Sequence, residues 1–128
     1  RWSEVIGDLS PQEEIGEYLE NLPADEQGRL IHSYLEDEFS DWEDLSFEDP
    51  VVYEEDGEKR QGRYDCFDGN FVYEFKTKNE DVLGSSWLPL DDDVSQVRNY
   101  LEATESDWGV LVYISRESFD VDEYVVGR

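Results

Sequence analysis

The sequence has few residues suited to sulfur or imidazole chemistry: one cysteine, one histidine and no methionine among 128 residues. A lone Cys66 excludes an internal disulfide, a cysteine-only metal site and an iron–sulfur cluster held by this chain. Its place in an expected strand favours a small buried hydrophobe. No apolar run approaches the roughly 18 residues of a membrane-spanning helix, and no signal peptide is visible. We therefore expect a soluble cytoplasmic protein without a membrane partner.

Basic residues are also scarce, with 10 against 35 acidic residues and a formal net charge of -25. Self-repulsion at this density destabilises a compact state, but at 1 M salt the Debye length falls to about 3 Å. The acid is spread over almost every segment, which favours a halophilic surface of haloarchaeal or haloviral type. The alternatives are an acidic partner-binding protein and a nucleic-acid mimic, although a mimic would concentrate its acid on one face.

The few cations are unevenly distributed along the chain. Five of the ten fall within twenty residues: Lys59, Arg60, Arg63, Lys76 and Lys78. In a chain that otherwise avoids cations, this clustering favours a role for them in contacting phosphate. The alternative is ordinary cross-strand ion pairing with acidic neighbours.

The order of helix and strand patterns predicts the fold class. Two helices come first, one from Pro11 after an N-cap at Ser10 to about Leu22, and one from Pro23 to about Phe39. An acidic connection follows over 41–49, then a three-stranded meander, a loop over 79–89, a helix, a buried strand, and a short edge strand or return. The segments after the connection are 50–54, 60–67 and 71–77 for the meander, 92–103 for the helix, 108–115 for the buried strand and 121–126 for the last strand.

The crossover from the third strand through a helix to the fourth predicts an α/β fold with a mixed sheet flanked by helices. The apolar content of 38% and aromatic content of 14% are sufficient for a packed core, and the length suits one domain. We expect a single domain over 1–128, with its N-terminal helices within 1–40.

The segment 62–78 carries the strongest signal for chemistry. A turn at 68–70 lies between two runs rich in β-branched and aromatic residues, which predicts a hairpin. It holds Asp65 on one strand and Glu74 and Lys76 on the next, and strand alternation places the last two on one face. Two carboxylates, with the backbone carbonyl of Phe75 as a third oxygen, suit a divalent cation. The lysine could orient a water and offset charge on a phosphodiester, although a surface hairpin with paired charges is the ordinary alternative.

Two helical patterns add candidate residues. His32 lies one turn after Gly28 on the second helix and could ligate a metal or act as a general base; the alternative is a helix histidine packed against the sheet. Gln96 and Tyr100 share a face of the later helix, where an amide and a phenol could bond phosphate oxygens or the attacking water. Alone, that pair is typical of an ordinary half-buried helix.

Taken in their order along the chain, these motifs resemble those of the RecB-like branch of the PD-(D/E)xK nuclease superfamily. The matching residues are Gly28…His32, Gly62-Arg-Tyr-Asp65, Glu74-Phe-Lys76 and Gln96…Tyr100. The match covers about residues 28–115, and Tyr64 stands where the nominal pattern has proline. Relatives that carry an iron–sulfur cluster hold it with four cysteines, so the resemblance implies no such cluster here.

The resemblance implies a restriction-endonuclease-like core that hydrolyses DNA with Mg²⁺ or Mn²⁺, in repair, recombination or defence. Carried over by position, Asp65, Glu74, His32 and the Phe75 carbonyl would be metal ligands. Lys76 would position the water, and Gln96 and Tyr100 would support the site and the DNA strand. DNA could be single- or double-stranded, and a homodimer or a larger repair complex is compatible with the pattern. A binding module that has lost activity and an acidic mimic remain as alternatives.

Overall fold

The structure, a computed structural model, describes residues 2–40, 42 and 45–128. Its helices are α1 Trp2–Leu9, α2 Pro11–Leu19, α3 Ala24–Phe39 and α4 Asp91–Thr104. Its strands are β1 Ser46–Phe47, β2 Pro50–Glu55, β3 Glu58–Arg63, β4 Cys66–Phe67, β5 Phe71–Lys78, β6 Trp108–Ser115 and β7 Val121–Gly127. In this described part of the chain, no helix combines the length and apolar character needed to cross a membrane.

The predicted helices are present, with small differences at their ends. Ser10 is the N-cap of α2, as predicted, but its side chain makes no capping bond, because this residue is left-handed with φ 53°. Its backbone carbonyl instead accepts a hydrogen bond from the Glu13 amide at 3.0 Å. Helix α1 precedes the two predicted helices and begins with the Trp2 amide donating to the Glu123 carboxylate at 2.6 Å. Aligned backbone dipoles favour an anion at that end of a helix.

The predicted three-stranded meander is wrong in its connectivity. The strand expected over 60–67 is broken at residues 64–65, so that β3 pairs with β2 in a separate two-stranded sheet while β4 joins a five-stranded sheet. The order in that sheet is β1-β4-β5-β6-β7. Strand β1 lies within the connection predicted over 41–49, of which Asp41, Glu43 and Asp44 lie outside the described residues.

The five-stranded sheet is mixed, as expected. Strands β1, β4 and β5 pair antiparallel. The Arg116 amide donates to the Lys78 carbonyl at 3.0 Å, which brings the carboxyl ends of β5 and β6 together, as in parallel neighbours. The Arg128 amide donates to the Asp107 carbonyl at 3.0 Å, so the end of β7 meets the start of β6, as in antiparallel neighbours. The α/β fold with a mixed sheet flanked by helices is thereby confirmed.

The chain forms two compact units that interleave along the sequence. The first unit contains Arg1–Glu38, Phe75–Leu88 and Val112–Glu123, and the second contains Phe39–Glu74, Pro89–Leu111 and Tyr124–Arg128. The expectation of one domain over 1–128, with a catalytic core over about 28–115, stays a prediction.

Each unit has its own buried apolar side chains. In the first, Ile6 and Ile31 are about 1% exposed, and Trp2 meets Phe75 edge-on with ring centroids 5.0 Å apart. In the second, Cys66, Val72, Val97, Leu101 and Leu111 are fully buried. Helix α4 approaches β6 at Gly109, where a Cβ would lie 2.6 Å from Val97 Cγ1 and 3.1 Å from the Val72 carbonyl. A side chain there would displace the helix that carries Gln96 and Tyr100.

Candidate active site

Glu74 is a buried carboxylate in the second unit, only 3% exposed. Its Oε1 accepts a hydrogen bond from the backbone amide of Asp65 at 2.8 Å. The register of β4 and β5 pairs Cys66 with Tyr73, so Asp65 and Glu74 come next on the same ladder. The two predicted carboxylate residues are therefore adjacent across a strand pair, as the hairpin pattern predicted.

The backbone of Asp65 is fixed on both sides. Its amide bonds the Glu74 carboxylate, and its carbonyl accepts from the Glu48 amide at 3.3 Å. The neighbouring Tyr64 is buried, and its hydroxyl donates to Asp49 at 2.9 Å and lies 3.1 Å from Ser46 Oγ. Because a side chain takes the Asp65 amide, the backbone ladder stops here, which explains the break between β3 and β4.

Gln96 and Tyr100 come together on α4 as predicted. The Gln96 amide nitrogen donates to the Tyr100 hydroxyl at 3.2 Å, and the Tyr100 side chain is 3% exposed. Burial raises the pKa of the Tyr100 hydroxyl to about 12, and the nearby charge of Glu74 and, more weakly, of Asp65 acts in the same direction. The phenol therefore stays protonated at any working pH and can donate a hydrogen bond beside the carboxylate pair.

Two residues beside Tyr100 were not assigned a role from the sequence. A Cβ at Gly62 would lie 3.0 Å from the Tyr100 ring and hydroxyl and 3.2 Å from Tyr53, so the motif glycine makes room for both rings. Tyr53, on β2, also lines an open cavity of about 570 Å³ together with Gln96. No motif marks Tyr53, and only the pairing of β2 with β3 reveals its position.

The turn of the β4–β5 hairpin is organised by Asp68. Its Oδ1 accepts from the amides of Asn70 at 2.8 Å and Phe71 at 2.7 Å, and its Oδ2 accepts from the Tyr73 hydroxyl at 2.8 Å. Gly69 adopts φ +92°, which glycine reaches at little cost. This turn sets the register that places Glu74 opposite Asp65.

His32 and Phe75 meet in the first unit. The His32 Nε2 atom lies 2.7 Å from the Phe75 carbonyl oxygen, and the two rings are edge-on at 6.5 Å. A carbonyl only accepts, so Nε2 carries the hydrogen in this contact. A Cβ at Gly28 would lie 2.9 Å from Thr77 Oγ1, so the glycine of this motif allows α3 to lie close to β5. The contact satisfies the ordinary helix-histidine alternative and also brings two predicted metal ligands side by side.

The cation cluster divides into different environments. Arg60 follows the ion-pairing alternative, because it lies 3.6 Å from Glu55 and 3.5 Å from Glu58. Arg63 donates to the Glu48 carbonyl at 3.4 Å and is exposed. Lys76 lies on β5 two residues after Glu74 and is half-buried. The expected phosphate contacts of these side chains stay predictions.

The donor atoms suit a hard divalent cation. Glu74 and Asp65 supply carboxylates, and a carboxylate that accepts one amide hydrogen retains further acceptor capacity. In the first unit, the Phe75 carbonyl already accepts from His32 Nε2 at 2.7 Å, so the role of either residue as a metal ligand stays a prediction. Among the described residues, no three His, Cys, Asp or Glu side chains form a ready-made metal cluster. A site of this class commonly uses one or two carboxylates, with water and substrate phosphate as the other ligands.

Comparisons with known proteins bear on the fold. No protein-family model matches the sequence, and no curated protein matches it either. The crystal structure of SSO0001 aligns with TM-score 0.67 and 25% identity over 96% of this chain and 62% of that one. An alkaline exonuclease from Laribacter hongkongensis, LHK-Exo, aligns with TM-score 0.64 and 13% identity over 84% of this chain and 60% of that one. The chain thus spans less than two thirds of either neighbour, and the fold it shares with LHK-Exo is nuclease-like.

Proposed function

We propose that the protein is a metal-dependent nuclease of the RecB-like branch that hydrolyses DNA phosphodiester bonds. The observation that carries the proposal is the buried Glu74 carboxylate, bonded to the Asp65 amide at 2.8 Å beside the Tyr100 phenol. A desolvated carboxylate is costly unless it is paired, hydrogen-bonded or bound to a cation. A fold that holds one against a second acidic residue is suited to cation binding.

The residues of the chain have distinct roles in this proposal. Asp65, Glu74, the Phe75 carbonyl and His32 would hold Mg²⁺ or Mn²⁺, which supplies Lewis acidity toward the phosphate and a lower pKa for the attacking water. Lys76 would orient that water and stabilise the negative charge that develops on the phosphate.

Gln96 and Tyr100 complete the proposed site from α4. The Tyr100 hydroxyl receives the Gln96 amide hydrogen at 3.2 Å and retains its own proton for donation. Such a pair can hydrogen-bond a phosphate oxygen or a ligand carboxylate without adding charge. Positioning of this kind lowers the barrier because the donor is already oriented before the reaction begins.

The charge of the chain sets the working conditions of the proposed enzyme. At a net charge of -25, phosphate contacts are opposed in dilute salt by repulsion of the whole molecule. High salt relieves that repulsion but weakens every phosphate contact. Binding in a halophile would therefore depend on metal coordination, hydrogen bonds and stacking more than on ion pairing.

The test is cleavage of labelled linear DNA, single- and double-stranded, by the purified protein in molar KCl with Mn²⁺. We expect cleavage by the wild type, and a loss on the order of 10²–10³-fold or more in Glu74→Ala and Lys76→Ala. Circular DNA and RNA substrates of the same length separate endonuclease from exonuclease activity and DNA from RNA specificity.

The matched controls are Glu54→Ala, which removes an exposed carboxylate from the other hairpin, and Arg29→Ala, which removes an exposed cation outside the cation cluster. Circular dichroism verifies that all four variants keep the fold. Activity that survives in both Glu74→Ala and Lys76→Ala would reject the proposal. An inactive wild type that also shows no calorimetric Mn²⁺ binding would favour the nuclease-fold binding module.

A further inference from the structure

Tyr53 and Tyr100 form a ring contact that joins β2 to the α4 helix. The two rings meet edge-on, with centroids 6.0 Å apart and planes at 77°. Gly62 on β3 lies against both, because a Cβ there would fall 3.0 Å from Tyr100 Cε1 and Oη and 3.2 Å from Tyr53 Cε1. Aromatic pairs favour this edge-to-face geometry. The contact therefore defines where the Tyr100 ring can lie.

A polar contact reinforces the same junction. Asn99 on α4 donates from Nδ2 to Glu55 Oε2 at 2.7 Å, one residue from Tyr100 on the helix and two from Tyr53 on the strand. Strand β2 is thus tied to α4 by an aromatic pair and a charge-assisted hydrogen bond. The β2–β3 hairpin takes no part in the five-stranded sheet, so its contact with α4 is a separate means of fixing that helix face.

We propose that Tyr53 is a positioning residue, whose ring holds the Tyr100 phenol and the bonded Gln96 amide in the orientation that serves the Asp65–Glu74 pair. The proposal deepens the proposed nuclease function and rests on it for its kinetic consequence. The orientation of Tyr100 itself does not depend on any activity and can be measured separately. No sequence motif assigns a role to Tyr53.

The kinetic test uses Tyr53→Leu, which removes the ring but keeps an apolar side chain. We expect kcat for DNA cleavage to fall about tenfold with KM unchanged, a loss typical of partners that orient a site residue. Tyr53→Phe keeps the ring and should restore most of kcat. Val52→Ala is the matched control, because this neighbour on the same strand is 57% exposed and should leave kcat unchanged.

A double-mutant cycle tests whether Tyr53 acts through Tyr100. We expect Tyr53→Leu combined with Tyr100→Phe to be no slower than Tyr100→Phe alone. Fully additive losses would overturn the proposal, as would a Tyr53→Leu variant that raises KM without changing kcat, since that indicates direct substrate contact. Gly62→Ala is a second test of the same contact, because its Cβ would crowd both rings, at 3.0 Å from Tyr100 and 3.2 Å from Tyr53. It should lower kcat in the same way.

NMR of protein labelled with ¹³C on the tyrosine rings gives a readout that needs no activity. The Tyr100 signal is assigned by its absence in Tyr100→Phe. It should shift in Tyr53→Leu and stay in place in Val52→Ala, and an unmoved signal in Tyr53→Leu would overturn the proposal. If the wild type cleaves nothing while the signal shifts, the nuclease function fails and the ring contact is upheld. If the wild type cleaves DNA and Tyr53→Leu keeps full kcat, the positioning role alone fails.

Discussion

The hairpins β2–β3 and β4–β5 both turn at an Asp-Gly pair, but they differ in what surrounds them. In the β4–β5 hairpin, Cys66 and Val72 are fully buried and Glu74 is 3% exposed. In the β2–β3 hairpin, the residues of β2 alternate between exposed and half-buried, and β3 is exposed apart from Gly62. One is an interior part of the five-stranded sheet, and the other forms a two-stranded sheet of its own.

Because of this difference in burial, the carboxylates of the two hairpins differ in their solvation and in the partners they require. An exposed carboxylate is solvated and perturbs its neighbours little, because water screens its charge. A carboxylate at the position of Glu74 has lost most of its water and requires hydrogen bonds or a cation in exchange. In a chain with 35 acidic residues, burial therefore separates a candidate ligand from the solvated surface more sharply than any spacing rule.

The largest expected contrast between the hairpins is in metal affinity. Glu74→Gln keeps the side-chain volume and a carbonyl acceptor for the Asp65 amide but removes the charge. We expect its Mn²⁺ affinity to fall by about 100-fold or more, since loss of even an outer-shell partner costs about 10–100-fold. Glu54→Gln on β2, an exposed position, should leave the affinity unchanged. Isothermal titration calorimetry in molar KCl measures both, and equal affinities in the two variants would contradict the contrast.

The second contrast lies in the two turns. Asp68→Ala removes the acceptor for two backbone amides and for the Tyr73 hydroxyl, so we expect unfolding free energy to fall by about 2 kcal/mol. Asp56→Ala, in the turn where Asp56 has φ 53°, removes the same charge and should cost about 1 kcal/mol or less, the penalty of a left-handed alanine. Urea unfolding in molar KCl measures both, and a larger loss at Asp56 would reverse the comparison.

The third contrast concerns alkaline pH. Burial raises the pKa of the Cys66 thiol to about 12 from an ordinary 9.0. The folded state therefore holds this proton where the unfolded state releases it, so its stabilising contribution is full below pH 9 and is lost between pH 9 and 12. We expect roughly 1 kcal/mol of loss by pH 10 that Cys66→Ala does not show.

The measurement is the slope of unfolding free energy against pH between 8 and 10, compared for wild type and Cys66→Ala. Comparing slopes removes the constant cost of the cavity that alanine leaves. The tyrosines whose pKa is raised to about 12, Tyr34 and Tyr100, are present in both proteins and titrate from an ordinary value of 10.0, above most of this range. Identical slopes would show that the thiol is not desolvated.

Much of the fold was accessible from the sequence because periodicity and turn residues are local signals. The strand Trp108–Ser115 was predicted at its observed bounds, and α3, α4 and β5 were predicted to within one or two residues. The break at residues 64–65 was not predicted, because it arises when a side chain from β5, Glu74, takes the Asp65 amide. The alternation of apolar and polar residues in a strand does not show that a side chain of the neighbouring strand will take one of its backbone amides.

The candidate site shows the same division between local and non-local information. The pairs Asp65–Glu74 and Gln96–Tyr100 lie at the separations that hairpin register and helical period dictate, and both contacts are present. The contribution of Tyr53 depends on the hairpin that pairs β2 with β3 and on the packing of α4 over it. Neither this pairing nor this packing follows from the secondary-structure propensities of the residues involved. The solvent exposure of individual side chains could not be predicted from the sequence either. Glu54 and Glu74 each lie in a strand pattern, yet only Glu74 is buried.

The smallest expected effect tests whether ion pairs support the exposed hairpin. Arg60 lies 3.6 Å from Glu55 and 3.5 Å from Glu58, but all three side chains are more than two fifths exposed, so each pair should contribute less than about 1 kcal/mol. Arg60→Ala makes the net charge more negative, whereas Glu58→Gln makes it less negative. If the pairs matter, both variants lose stability in dilute salt. If only net charge matters, Arg60→Ala loses stability and Glu58→Gln gains it. We expect the second result, with both differences vanishing in molar KCl because exposed charges are then screened within about 3 Å.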